Sequence, residues 1–307
     1  MPIHFVIGAG AGLVSAALFA SAVLSAALAG VILYVCPLPL CLAGLVWGRP
    51  AVTLAGIVGS VLAIVALGAA QGLVYAVVIA IPTAALVHLI LQSRTVPDPT
   101  DAAKQIVAWY PAGRLVAATA LIAGVIAGFM MVALGPDMAS YQASIDKMMP
   151  LVHDALGANE GVWTDEATEN LRMLLTRALP AVIAIVWITI ALFNVWLAGT
   201  IAKRSGHALR PWPDLQALDI PNVMVIAFAG SLALSFMPGI IGLLATGFAG
   251  AFVIGDLLQG LAVIHGGSLG MPFRTAGRAG LCFAVLGLGG VAIFVAILGV
   301  GGPGFGW

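Results

Sequence analysis

Charge is what this chain has least of. Only 8% of its 307 residues are Asp, Glu, Lys or Arg, where soluble domains carry roughly a quarter. No charged residue precedes Arg49, none lies between Arg49 and Arg94, and Asp256 alone falls inside a long apolar run. The formal net charge is zero, which excludes bulk electrostatic attraction to nucleic acid or to an anionic bilayer surface. Cysteine is scarce too. Cys36, Cys41 and Cys282 lie in apolar stretches without C-x-x-C spacing, so they read as small packing residues rather than zinc or redox ligands. The N-terminus, MPIHFVIGAGAG, has no Lys or Arg. It therefore lacks the positive region that opens a cleaved signal peptide, and reads as the start of a retained span.

Catalytic punctuation is also missing. The chain has no HExxH, no GxSxG and no Walker A run, and its apolar stretches hold no close pair of acids. The expectation is a protein that is not an enzyme, with no metal site and no cofactor, and unable to drive ATP-powered transport by itself.

What is present is apolar sequence, 62% of the chain, in runs long enough to cross a bilayer. About 20 apolar residues suffice for one helical crossing, and backbone exposed to lipid must be helical to satisfy its own hydrogen bonds. The runs predict spans near 6–28, 30–48, 51–69, 72–92, 115–135 and 179–202, two more within 220–266 divided at Pro238-Gly239, and a last at 279–301. The fold class expected is an all-α polytopic bundle of eight or nine spans, a single integral membrane domain over 1–307. Pro37 and Pro39 in CPLPLC should break or kink the second span.

Charge placement orients this bundle. With nine spans, Arg49, then Arg94, Lys104 and Arg114, then Lys203, Arg204 and Arg210, then Arg274 and Arg278 all fall on one side. The other side carries Lys147, Arg172 and Arg177 among a larger number of acids. Lys and Arg mark the cytoplasmic face, so the N-terminus is expected inside and the C-terminus outside.

Two connecting segments have patterns of their own. Within 136–178, an extracytoplasmic insertion, Tyr141, Ile145, Met148, Val152 and Leu156 make an apolar helical stripe. A second short helix is expected from Thr164, whose hydroxyl can cap it, with Asp165 and Glu166 in the first turn. Such a pair would lie on the outer membrane surface or fold over the bundle as a lid. On the inner side, 93–113 reads as a cytoplasmic interfacial loop. Within it, Thr100–Pro111 is expected as an interfacial helix, with Trp109 and Tyr110 at headgroup level.

Small residues four apart let helices approach closely in lipid. The first span carries two such stripes, Gly12, Ala16, Ala20 and Ala17, Ser21, Ser25, and a later one carries Gly247, Ala251 and Gly255. They serve either packing within the protein or docking of a partner membrane subunit. Polar residues at membrane depth are costly and face a cavity or a partner. Asp256 and Gln259 are three apart and share a helix face. They serve a ligand or proton, or else an interhelical hydrogen bond. Asn194 and Trp187 lie in the sixth span, where Asn194 reads as a structural hydrogen-bonding residue.

The stretches AWYPAGRL at 108–115, FNVWLA at 193–198 and GDLLQGLAVIHG at 255–266 resemble the YybS-like family of bacterial membrane proteins. That family is in turn distantly similar to the substrate-capture (S) components of energy-coupling-factor transporters. The resemblance implies a multi-pass protein of the bacterial inner membrane that binds a small molecule in its bundle. It also implies docking to a membrane coupling subunit through stripes like Gly12–Ala20 and Ala17–Ser25. S components have fewer spans than the nine expected here. The expected function is a transporter-type binding component whose site lies near the outer face, roofed by 136–178. Asp256, Gln259, Asn194 and Trp187 would supply its polar and aromatic contacts. The alternative is a membrane scaffold or assembly protein with no small-molecule ligand.

Overall fold

A computed structural model of the chain describes residues 3–25, 29–98, 101–155, 164–213, 218–267 and 295–296. Nearly all of this is helix. In chain order the elements are α1 Ile3–Leu24, α2 Ala29–Val35, α3 Leu38–Trp47, α4 Arg49–Leu67, α5 Ala69–Tyr75 and α6 Ile81–Ile90. Strands β1 Ser93–Asp98 and β2 Asp101–Trp109 follow, then α7 Ala112–Leu134, α8 Met138–Ala155, α9 Asp165–Arg204, α10 Asn222–Ser235 and α11 Gly239–Gly267. Among the described residues seven helical stretches are long and apolar enough to cross a bilayer: 3–24, 29–47, 49–67, 69–90, 112–134, 165–204 and 239–264. Large apolar side chains such as Val65 and Ile226 stand 77% and 72% exposed. That outward apolar surface suits lipid and would be a liability in water. The fold is an all-α polytopic membrane bundle. The expected last span, 279–301, lies outside the described residues apart from 295–296.

Helix ends follow the sequence punctuation. Gly48 and Gly68 adopt φ of +90° and +89°, a conformation open to glycine but strained for other residues, and they separate α3 from α4 and α4 from α5. Residues 76–80 form a π-helical turn that joins α5 to α6 in one span. Pro82, which cannot donate a backbone hydrogen bond, stands at the start of α6. The expected break at CPLPLC is present, as a turn at Cys36 and Pro37 between α2 and α3.

Three expectations need correcting. The helix expected over 100–111 is replaced in the described residues by a strand, Asp101–Trp109, paired antiparallel with β1, Arg94 opposite Ala108 and Val96 opposite Ile106. Ala, Lys and Gln favour helix, but Pro97 and Pro99 bias their predecessors to extended backbone. Val96, Ile106, Val107 and Trp109 favour a pleated surface, and the ladder satisfies both strands. Next, no separate short helix follows Thr164. The Thr164 hydroxyl does cap, accepting the Ala167 N–H at 3.1 Å, but the helix it starts runs unbroken for 40 residues to Arg204. Last, the buried stripe of α8 is Tyr141, Ile145 and Met149 rather than Met148. The helix rotates to keep the 141/145 spacing one step further.

The described chain forms two compact units, one of residues 1–119 with 189–219 and one of 120–188 with 220–307, the divisions falling inside α7 and α9. In the first unit α1 packs along α4. A side chain at Gly12 would collide with the Ala55 carbonyl oxygen and crowd Gly59, so this glycine is what lets the two backbones meet. The Gly12 edge of α1 is thus occupied by the protein's own α4 and Ala16 is buried, while Ala17, Ser21 and Ser25 are exposed. At the end of α6, Arg49 donates to the Leu91 carbonyl at 2.7 Å. Arg210 donates to Ile90 and Tyr110 carbonyls at 3.0 and 2.8 Å and lies over the Trp109 ring. Two cations at a helix C-terminus complement its dipole. Burial lowers the Arg210 pKa from the usual guanidinium range.

In the second unit Gly135, Pro136 and Asp137 turn the chain from α7 into α8. The Asp137 carboxylate accepts the Ser140 N–H at 2.9 Å, which holds its pKa below the ordinary value. Tyr141 and Ile145 then pack with Met131 and Leu243.

Candidate functional site

Buried polar side chains find their partners where helices break. Between α2 and α3 the helical ladder is interrupted, which strips backbone carbonyls of their usual partners. Asn194, fully buried, donates its amide to the Tyr34 carbonyl at 2.7 Å and to Ile190 of its own helix at 2.8 Å. Ser15 donates to the Cys36 carbonyl at 2.8 Å, and the Tyr75 hydroxyl donates to Ser15 at 2.9 Å. Cys36 and Cys41 are buried free thiols. These groups, all in the first unit, close the gap that the prolines open.

The same logic holds for Gln259 in the second unit. Its side-chain oxygen accepts the Ile220 N–H at 3.2 Å, a donor in the segment leading into α10 that has no helical acceptor. Asp256 lies three residues earlier on the same buried face of α11, 2% exposed, and its Oδ2 has no hydrogen-bond partner among the described residues. Trp187 is half-buried on α9 in the second unit. Of the residues singled out from sequence, then, Asp256 and Gln259 share a face, Asn194 belongs to the first unit, and two of the four are committed to backbone groups. Among the described residues no His, Cys, Asp or Glu set could hold a metal ion.

A ligand-sized concave feature of the second unit lies elsewhere. A cavity of about 610 Å³ is walled by α8 (Met138, Gln142), α9 (Arg172 to Ala181), the α10–α11 turn (Ser235 to Gly239) and the start of α11 (Gly242, Leu243, Thr246). Ligand sites for small molecules typically measure roughly 300–1,000 Å³. Neither Asp256, Gln259 nor Trp187 lines it. From sequence, a site is expected beneath 136–178 with intramembrane polar residues as its contacts. Arg172, Arg177 and Gln142 were overlooked because nothing in their local spacing distinguishes them from a solvated helix face.

A proline sets the wall of this cavity. Pro180 has no N–H, so the Thr176 carbonyl four residues back has no helical donor. The Tyr141 hydroxyl supplies one, at 3.1 Å, and so pins α8 to α9 where the cavity wall begins. A hydrogen bond of this kind stabilises by about 1 kcal/mol. Thr176, Ser235 and Thr246 each donate their hydroxyl to a carbonyl of their own helix. Arg172 pairs with Glu169 at 2.8 Å and reaches Asp146 at 3.4 Å. Arg177 has no ion-pair partner among the described residues. In the first unit, by contrast, a pocket of about 40 Å³ is bounded by Leu45, Leu115, Arg210 and Trp212. It is too small for a ligand, and the Trp212 ring fills the space beside Gly199.

A family model described as "Predicted membrane protein (DUF2232)" matches residues 13–300. No curated protein and no solved structure matches the chain.

Proposed function

We propose a function from the premise that this chain belongs to the DUF2232 family of predicted membrane proteins: it is a non-enzymatic, transporter-type component that binds a small molecule in the cavity of its second unit. The observation that carries this reading is the cavity itself. It has ligand-sized volume, its position is fixed by the Tyr141–Thr176 contact, and it combines apolar walls with a few polar groups, as binding sites do. The YybS-like resemblance and its distant likeness to S components support the same class. In that setting the N-terminus is inside, the bundle sits in the bacterial inner membrane, and a coupling subunit docks on the exposed Ala17, Ser21 and Ser25 face of α1. Gly12 is unavailable for that role because α4 covers it, and Ala16 because it is buried.

The test is purification of the full chain from its native membrane in mild detergent, with native mass spectrometry for retained small molecules and identification of co-purifying proteins. A retained molecule, or a coupling-type membrane subunit with its ATPases, is the expected result. An empty bundle accompanied by envelope-assembly proteins would replace this reading with the scaffold.

A further inference from the structure

We propose that the cavity ligand is an amphipathic anion: a carboxylate or phosphate held at Arg177 and Gln142, with an apolar body against Met138, Met173, Phe236 and Met237. The proposal rests on the binding reading above and names its chemistry.

The three hydroxyls that line the cavity, Thr176, Ser235 and Thr246, already donate to helix carbonyls. Arg172 lines it too, but Glu169 and Asp146 answer its charge. Left over are the Arg177 guanidinium and the Gln142 amide, neither with a partner among the described residues. The lining contains no Asp or Glu, so a cationic ligand would find no counter-charge and would face Arg177 instead. An anion accepts from both free donors, and Arg offers the forked geometry that carboxylate and phosphate prefer.

The rest of the wall selects for a tail. Phe236 and Met237 are exposed, 82% and 45%, beside Met138 and Met173. Methionine adapts its shape to whatever apolar body lies against it. A bare inorganic anion would leave that surface wet, whereas an alkyl or isoprenoid-like body removes it from water. Such an anion could come from the bilayer as a lipid or from solution as a free amphiphile, and the chemistry is the same.

The experiment uses the full chain in nanodiscs of zwitterionic lipid, with octyl phosphate and octyl glucoside as probes of equal tail and different head. Binding is read by thermophoresis. Octyl phosphate is expected to bind about tenfold tighter or better, the scale of one charge-assisted hydrogen-bonding site. Arg177→Gln should erase the preference, Arg177→Lys should keep part of it, and Gln142→Ala should weaken it in a protein that stays monodisperse. Equal affinity for the two probes, or an unchanged preference in Arg177→Gln, overturns the anionic class and leaves the binding cavity standing. Failure of both probes, and of phosphatidic acid placed in the disc, to bind overturns the cavity reading as well. Displacement of octyl phosphate by phosphatidic acid assigns the ligand to the bilayer; its absence, with octyl phosphate still preferred, assigns it to solution.

Discussion

The two compact units use buried polarity in opposite ways. In the first, a proline-rich helix break exposes carbonyls at Tyr34 and Cys36, and Asn194 and Ser15 fill them; a pocket in that unit measures about 40 Å³. In the second, Pro180 frees the Thr176 carbonyl, and a tyrosine from a neighbouring amphipathic helix takes it. There the result is an open cavity of about 610 Å³. A helix break beside prolines is covered by buried side chains in one unit, and a proline that removes one hydrogen bond is used to hold a wall in the other. The first unit is built for close packing and the second for space.

That contrast breaks most visibly at the α1–α4 contact. Gly12→Leu should cost more than about 3 kcal/mol, because the added side chain meets backbone that cannot move aside, and folded protein should vanish from the detergent extract. Ala17→Leu, on the exposed face of the same helix, should leave yield and melting unchanged. Recovery of both variants at wild-type level would show that close packing does not hold the first unit together.

Asn194→Leu tests the inward repair. It orphans the buried Tyr34 carbonyl, at a cost of about 1–3 kcal/mol, seen as a lower thermal midpoint with no change in binding to the second-unit cavity.

A smaller effect sharpens the other side. Tyr141→Phe should destabilise by about 1 kcal/mol. In a Pro180→Ala background, where the Thr176 carbonyl regains a helical donor, that loss should shrink, and a double-mutant cycle in thermal melts measures the coupling. Independent effects would show that the freed carbonyl is not what fixes α8.

The smallest effect concerns the Asp137 cap of α8. Its carboxyl pKa is lowered in the folded state, first of all by the Ser140 backbone N–H. The cap therefore stabilises above the ordinary value of 3.8 and is lost as pH falls below it through the folded pKa. The melting difference between wild type and Asp137→Ala should hold at neutral pH and narrow in acid.

Much of the fold could be read from the chain because lipid imposes few solutions. Long charge-free runs become helices, and Gly48, Gly68 and the CPLPLC prolines mark their ends. The hairpin at 93–109 could not be read the same way. Its helix-forming Ala and Lys compete with extended-favouring Val, Ile and Trp, and only pairing with β1 decides. The site was less visible still. Asn194 and Gln259 stand out in the sequence because polarity at membrane depth is expensive, with a ligand contact and a structural hydrogen bond both open as readings. Which expense they meet, an orphaned carbonyl at Tyr34 and an orphaned N–H at Ile220, depends on neighbours far along the sequence. Arg177 is ordinary by spacing and becomes distinctive only when the turn at 235–239 closes a wall opposite it.

The most direct test of a binding cavity in the second unit is to fill it. Ala178 lines the cavity and is only half-buried, so Ala178→Trp adds bulk there without entering the packed core. Native mass spectrometry of the full chain, wild type beside Ala178→Trp at equal monodisperse yield, should show a small molecule retained by the first and missing from the second. Equal retention in both, or none in either, would contradict a binding site between α8, α9 and the α10–α11 turn.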